Sequence, residues 1–328
     1  MTDVACTLAN KITSIGIIGD KRHAERLRQV VGFCKRAKVK SIYHPKRKPD
    51  HPLGTTNFGE LRKCDAIIIA APNAFHFDYL KKTSTWNKYI FLEKPIASNE
   101  EGLRESLKII RAGKVYVNYN YRVSAIEETI NKYENEIGEV ISIEIFSGNG
   151  LSYKTSEILD WRLTSEESED VVLRTKAIHW IDYLSYKYGQ SDSIKYRKKS
   201  FGPSKVIDTA IVEMDWSTGP NARIISSYAS PLIFNIKLVG SNGILLMDKK
   251  QIIITSPRDT FNEDGLFLKP PSKEFSYPGN YDLYLGSLIN SFEYFLQFVE
   301  NKLPIPSKVI EQSIKTELLI NEIVKNSK

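Results

Sequence analysis

Apolar positions along the chain fall into two rhythms. Over the first third, short continuous apolar runs alternate with stretches of helical spacing. Ser14-Ile-Gly-Ile-Ile-Gly19 reads as a buried strand, and His23 to Ala37 as a helix with Leu27, Val30, Val31 and Cys34 on one face. Lys40 to His44 gives a second strand. Asp65 to Pro72 gives a third, whose unbroken apolar run suits a parallel strand covered on both faces. A helix over 74–85, a strand over 89–92, a helix over 98–112 and a strand over 115–118 continue the series. Ser98-Asn-Glu-Glu101 supplies a capping box for the last of these helices, and Gly113 closes it. This alternation predicts right-handed crossovers and a doubly wound parallel sheet of Rossmann type.

From about Ser124 the rhythm changes. A helix over 125–137 ends at Gly138, and Ile141, Ile143 and Ile145 then alternate with Ser142 and Glu144. Similar runs occupy 206–216, 222–228, 233–239, 244–247 and 251–255, which predicts an open, mainly antiparallel sheet with one wet face. A helix over 177–187 interrupts them. Two more, over 283–299 and 307–324, close the chain, with Phe292, Phe295 and Val299 as core positions. The expected fold class is α/β: a Rossmann-type dinucleotide-binding domain over residues 1–122, then an α+β domain over 123–328 for substrate binding and oligomerisation.

Composition narrows the function classes. A chain of 328 residues with 41% hydrophobic and 26% charged residues has material for two ordinary globular cores. Its apolar runs are far shorter than the ~20 residues a membrane span needs, and its start does not read as a signal peptide. Cysteines at 6, 34 and 64 form no paired spacing, which argues against a disulfide frame or a metal site and for a reducing, cytoplasmic setting. The net charge of +7 would suit nucleic acid, but the lysines are spread over the whole chain and no nucleic-acid-binding pattern is visible. No nucleic-acid or membrane partner is expected. The excess charge either attracts phosphorylated small molecules or is a solvated face.

In a Rossmann domain the turn after the first strand carries G-x-G-x-x-G, so that backbone N–H groups at a helix N-terminus can approach a pyrophosphate. Here the turn reads Gly19-Asp20-Lys21-Arg22-His23-Ala24. Laid without a gap, Lys21 takes the second glycine position and Ala24 the third. Alternatively, loop residues are missing and Arg22-His23 already begins the helix. Either way, Asp20 is expected to bring negative charge to the pyrophosphate position, with Lys21 and Arg22 holding phosphate through their side chains. The second strand is followed by His44-Pro45-Lys46-Arg47-Lys48 in place of an acid for a ribose 2′-hydroxyl. That cluster is either a solvated basic loop or a seat for the 2′-phosphate of NADP, and it tilts the expected cofactor, NAD or NADP, slightly toward NADP.

Three further stretches coincide in order: Ala70-Ala71-Pro72-Asn73 with His76, Phe91-Leu92-Glu93-Lys94-Pro95, and Asn120-Tyr121-Arg122. Together with Trp161-Arg162, His179-Trp180-Ile181-Asp182, Gly240 to Gly243 and the closing helices, they resemble the Gfo/Idh/MocA oxidoreductases, the glucose–fructose oxidoreductase and inositol dehydrogenase family. The resemblance spans essentially the whole chain. It implies hydride transfer between a nicotinamide cofactor and a sugar or nucleotide sugar, plausible in surface-polysaccharide or unusual-sugar biosynthesis, in a homodimer or homotetramer.

By the same resemblance, Lys94 orients the reacting oxygen and the nicotinamide, and His179 exchanges the hydroxyl proton, with Thr175 beside them. Gly19, Lys21, Arg22, Ala71, Pro72, Asn73, His76, Glu93 and Lys94 face the cofactor, and Arg122, Trp161, Arg162 and Asp182 the substrate. Plainer readings stand beside these. His76 can cap its helix, Glu93 can be a structural ion partner, His179 with Asp182 a local polar pair, and Arg122 with Trp161-Arg162 interdomain packing. Thr175 stands where the family commonly has Asp, and Glu169, Asp170 and Val171 stand where it has glycines. Thr cannot take a proton at neutral pH, so the alternative expectation is a non-catalytic sugar- or nucleotide-binding protein on the same scaffold.

Overall fold

The computed structural model describes residues 12–154, 170–203, 206–277 and 282–327. Residues 12–118 with Leu288–Ile314 form one compact unit; Tyr119–Ser287 with residues 315–327 form a second.

In the first unit, strands β1 (Thr13–Ile18), β2 (Ala37–Tyr43), β3 (Gly54–Thr55), β4 (Ala66–Ile69), β5 (Tyr89–Leu92) and β6 (Val115–Val117) form one parallel sheet in the order β3-β2-β1-β4-β5-β6. This is the doubly wound order, which brings the carboxyl ends of all the strands to one edge. Helices α1 (Arg22–Phe33), α2 (His76–Ser84) and α3 (Glu100–Ile110) make the crossovers. The α1 helix stops short of the expected Ala37 because that residue pairs with Thr13 and opens β2. The cap of α3 is Asn99, whose side chain accepts from the Gly102 N–H at 2.7 Å, in place of the expected Ser98.

Ile15, Ile67, Ile68 and Phe91 are fully buried at the centre of this sheet. Phe292 and Phe295, also fully buried, pack on Phe91 at ring separations of 5.8 and 5.4 Å. The first unit thus draws in Leu288–Ile314, which the change of rhythm near residue 122 does not signal. Periodicity shows that a helix has an apolar face; it does not show which sheet that face covers.

In the second unit, α4 (Ala125–Ile137) and α5 (Ile178–Tyr188) accompany eight strands, and the closing helices α6 (Leu283–Asn301) and α7 (Ser307–Asn326) are each divided between the two units. The strands are β7 (Val140–Gly148), β8 (Ser193–Lys199), β9 (Thr209–Asp215), β10 (Asn221–Ser227), β11 (Ile233–Gly240), β12 (Ile244–Met247), β13 (Gln251–Thr255) and β14 (Ser272–Ser276). Their order is β14-β13-β12-β11-β7-β10-β9-β8, antiparallel throughout except for the parallel pair β7 and β10. The edge strands β8 and β14 escape the hydrophobic pattern because their residues are mostly polar and exposed, as edges tend to be.

Ile143, Ile145, Met214, Ile224, Leu238 and Leu245 line the buried face. Ile141 does not join them: a bulge skips it in the pairing of β7 with β11 and leaves it exposed. Cross-strand ion pairs such as Lys237–Glu144 (3.7 Å) mark the wet face. Among the described residues, no helix is long and apolar enough to cross a membrane.

Candidate active site

Three turns lie together at the carboxyl edge of the parallel sheet, and each is built by its own residues. After β1, the turn is only Gly19, Asp20 and Lys21, because α1 begins at Arg22. This start puts Lys21 at the N-cap and the buried Ala24 in the first turn of the helix, the places of the second and third glycines in the ungapped alignment. Gly19 has φ +119°, and a Cβ there would lie 2.5 Å from the Ala70 carbonyl oxygen, so the close approach of the β1 and β4 turns requires glycine. Lys21 stands at the N-cap without a side-chain cap bond among the described residues, and both Lys21 and Arg22 are exposed. A helix N-terminus with open N–H groups and two cations is suited to a phosphate.

The Asp20 side chain does not face that N-terminus as a bare charge. Its Oδ2 is 2.5 Å from Arg47, its Oδ1 is 4.0 Å from His44 Nε2, and it is almost wholly buried. A cleft of about 160 Å³ beside it is lined by Gly19, Asp20, Ile42 and Arg47, among others.

After β4, Ala71 and Asn73 are half-buried and Pro72 exposed. His76 follows and is itself buried, so it neither lines an open cleft nor caps α2 with its ring. Nδ1 lies 2.6 Å from the Pro95 carbonyl oxygen and Nε2 2.8 Å from that of Ala71. The imidazole therefore ties the turn after β4 to the turn after β5. Burial pushes its pKa below the usual histidine value, although both carbonyls work the other way.

After β5 comes Glu93-Lys94-Pro95, with a cis peptide between Lys94 and Pro95. Glu93 is buried, accepts from Asn118 Nδ2 at 2.7 Å and meets His23 Nε2 at 2.9 Å. Burial pushes its carboxyl up, but His23, Asn118 and the Lys94 charge outweigh burial and hold it below the ordinary glutamate value. Glu93 is thus an internal ion partner, and the half-buried Lys94 extends from its fixed backbone. Asn118 in turn accepts from Ser291 Oγ at 2.7 Å. No motif assigns a role to His23, Asn118 or Ser291, because their partners lie far away in the chain.

A pH dependence follows from Glu93. Its folded pKa is depressed, so its contribution to stability is complete above the unfolded value of about 4.3 and is lost as pH falls through the folded value. Unfolding midpoints of the protein and of Glu93→Gln, measured from about pH 6 down to about pH 3, are expected to converge at the acid end. A constant gap across that range would contradict this account.

In the second unit, Arg122 and Asp182 are buried on each other. Arg122 Nε donates to Oδ2 at 2.8 Å, a second guanidinium nitrogen donates to Oδ1, and the Thr316 hydroxyl donates to Oδ1 at 2.6 Å. The guanidinium also lies 4.9 Å over the Tyr119 ring. Burial pushes the Asp182 carboxyl above its ordinary value, against the pull of Arg122 and Thr316. The expectation that these two residues face substrate is corrected: only 4% and 1% of their side chains is exposed, so they serve each other.

Thr175 lies in a single wide, π-type turn (Leu173–Ala177) that leads into α5, a local geometry frequent at functional sites. Its hydroxyl donates to the Val171 carbonyl and lies 2.7 Å from the Tyr228 hydroxyl. With the Thr175 proton directed at Val171, Tyr228 is the donor in that second contact. His179, two residues into α5 and half-buried, packs on Tyr121 at a ring separation of 5.4 Å. Tyr121 also stacks on the buried Trp180 at 4.4 Å, and burial raises its phenol pKa. Tyr121 and Tyr228 are neighbours that no motif announced. Trp161 and Arg162 lie outside the described residues.

Residues 14–121 match the model of an oxidoreductase family with an NAD-binding Rossmann fold. Inositol 2-dehydrogenase of Rhizobium meliloti is 23% identical over 250 residues, covering 72% of this chain and 70% of that protein. The 2,7-anhydro-N-acetylneuraminate hydratase of Escherichia coli is 25% identical over 189 residues, 53% of this chain and 49% of its own. Among solved structures, a levoglucosan dehydrogenase in complex with NADH and levoglucosan superposes with a TM-score of 0.77 at 16% identity, covering 95% of this chain and 96% of that one.

Proposed function

We propose that this chain, whose residues 14–121 match the Gfo/Idh/MocA oxidoreductase family model, moves a hydride between a nicotinamide cofactor and a hydroxyl-bearing carbon of a sugar or nucleotide sugar. The single observation that carries the reading is Lys94 at the carboxyl edge of the sheet. It leaves a turn held by the buried Glu93 on one side and by His76 on the other. Ligands bind at this edge in doubly wound sheets. A positioned ammonium there can orient a hydroxyl and stabilise the alkoxide charge that develops on it.

The residues of the β1 turn fit a dinucleotide. Gly19 permits close approach, the N-terminus of α1 and the exposed Lys21 and Arg22 suit phosphate, and the carboxylate of Asp20 suits a ribose hydroxyl. When bound, such a cofactor supplies the hydride acceptor or donor. His179 is the proton-exchanging group, since an imidazole titrates near neutrality and can both take and return the hydroxyl proton. Relatives named for inositol and levoglucosan support a polyhydroxylated substrate. The net charge of +7 favours an anionic one such as a nucleotide sugar.

The second reading is a non-catalytic sugar or nucleotide binder. It is favoured by the Thr175 hydroxyl, which is engaged by Val171 and Tyr228 and offers no acid, and by a β1 turn that keeps only one glycine. Titration with reduced nicotinamide cofactors, followed by their fluorescence, separates the two. Saturable binding is the expected result. No binding of either cofactor at millimolar concentration would sink the oxidoreductase reading.

A further inference from the structure

We propose that Asp20 reads the adenosine ribose of the cofactor and makes this site select NAD(H) over NADP(H). Asp20 has this role only if a dinucleotide binds the sheet edge as proposed above. In doubly wound folds an acid after the second strand usually accepts from the ribose hydroxyls. This chain has His44-Pro45-Lys46-Arg47 at that point, and the basic run by itself suggests a 2′-phosphate seat. The tertiary arrangement reverses that suggestion.

Asp20 leaves the end of β1, yet its carboxylate lies beside the end of β2, 4.0 Å from His44 Nε2 and 2.5 Å from Arg47. The acid that the second strand lacks is delivered to the same place from the first. Arg47, the residue a 2′-phosphate would need, is engaged by it. The basic loop is fixed around this pair, because His44 Nδ1 accepts the backbone N–H groups of Lys46 and Arg47 at 3.2 and 3.3 Å. With Nδ1 accepting, the ring N–H of His44 is on Nε2, the nitrogen 4.0 Å from Asp20 Oδ1.

The second carboxylate oxygen, Oδ1, has no hydrogen-bond partner among the described residues, although only 6% of the side chain is exposed. A buried acceptor left unmade is costly, and it marks a place for a donor. Asp20 lines the cleft of about 160 Å³ that also takes in Gly19 and Arg47. A ribose diol supplies the missing donor and finds a donor for its own oxygens in His44. A 2′-phosphate offers only acceptors, and its negative charge would meet a carboxylate already holding the nearby arginine. On this assignment the Asp20 charge is taken up by Arg47 and the ribose rather than set against the pyrophosphate.

The test is equilibrium binding of NADH and of NADPH to the full chain, by fluorescence or calorimetry, with no turnover required. NADH is expected to bind at least about tenfold more tightly than NADPH, as a buried carboxylate discriminates between a hydroxyl donor and an anion. In Asp20→Asn, which keeps the shape and removes the charge, that ratio is expected to shrink by about tenfold, through weaker NADH and tighter NADPH binding. Equal affinities in the unaltered protein, a preference for NADPH, or a ratio that Asp20→Asn leaves in place while only the thermal midpoint falls would each overturn the assignment. The comparison in the unaltered protein needs no variant to fold. Binding of neither cofactor would instead remove the dinucleotide reading, and the assignment with it.

Discussion

Arg122→Leu is expected to lower the unfolding free energy by about 3–5 kcal/mol, the usual cost of stranding one partner of a buried ion pair. The variant takes the guanidinium from the buried Asp182 carboxylate and leaves it the Thr316 hydroxyl. It also removes the guanidinium from the Tyr119 and Tyr186 rings. The double variant Arg122→Leu with Asp182→Leu is expected to recover much of the loss, because an apolar pair of similar volume often replaces a buried ion pair without net cost. Urea unfolding of the four proteins in the cycle gives the coupling directly. A loss below about 1 kcal/mol, with affinity for sugar reduced instead, would mean that Arg122 reaches substrate after all.

Lys94→Ala is expected to reduce hydride transfer by about 10²–10⁴-fold, the range seen when a group that stabilises developing charge or handles a proton is removed. Its thermal midpoint should stay close to that of the unaltered protein, because the turn is held by other groups. Glu93 keeps its bonds to Asn118 and His23, and His76 keeps its contacts with the carbonyls of Ala71 and Pro95. The measurement is reduction of cofactor with whichever polyol or sugar supports turnover in the unaltered protein. Unchanged turnover in Lys94→Ala would remove Lys94 from the chemistry. If Lys94→Arg retained cofactor binding but not rate, the compact ammonium, rather than positive charge alone, would be the requirement.

These two experiments probe residues that looked alike in the sequence. Arg122 and Lys94 are both cations just beyond a strand of the first sheet, both in motif positions. Arg122 is turned inward to an aspartate sixty positions on, whereas Lys94 is only half-buried at the edge. Nothing local distinguishes them. His76 presents the same lesson, since a histidine opening a helix can cap it, line a cleft or, as found, bridge two turns.

By itself the sequence determined the elements and their class. Continuous apolar runs alternating with helical stretches specified a parallel sheet covered on both faces, and two-residue alternation specified the second sheet with its wet side, because those periods are the repeat of the backbone itself. It also determined that the β1 turn departs from the glycine pattern and that an acid is missing after the second strand. Only the tertiary structure placed Lys21 at the N-cap and Ala24 inside the first turn of the helix, which begins at Arg22. Packing alone brought Leu288–Ile314 to the first sheet, set Ile141 outward at a bulge, and paired Asp20 with Arg47 and Arg122 with Asp182. The physical reason is one of range. Periodicity and propensity act over a few neighbouring residues, whereas an ion pair or a shared core is formed by whichever distant side chains the folded backbone brings within a few ångströms.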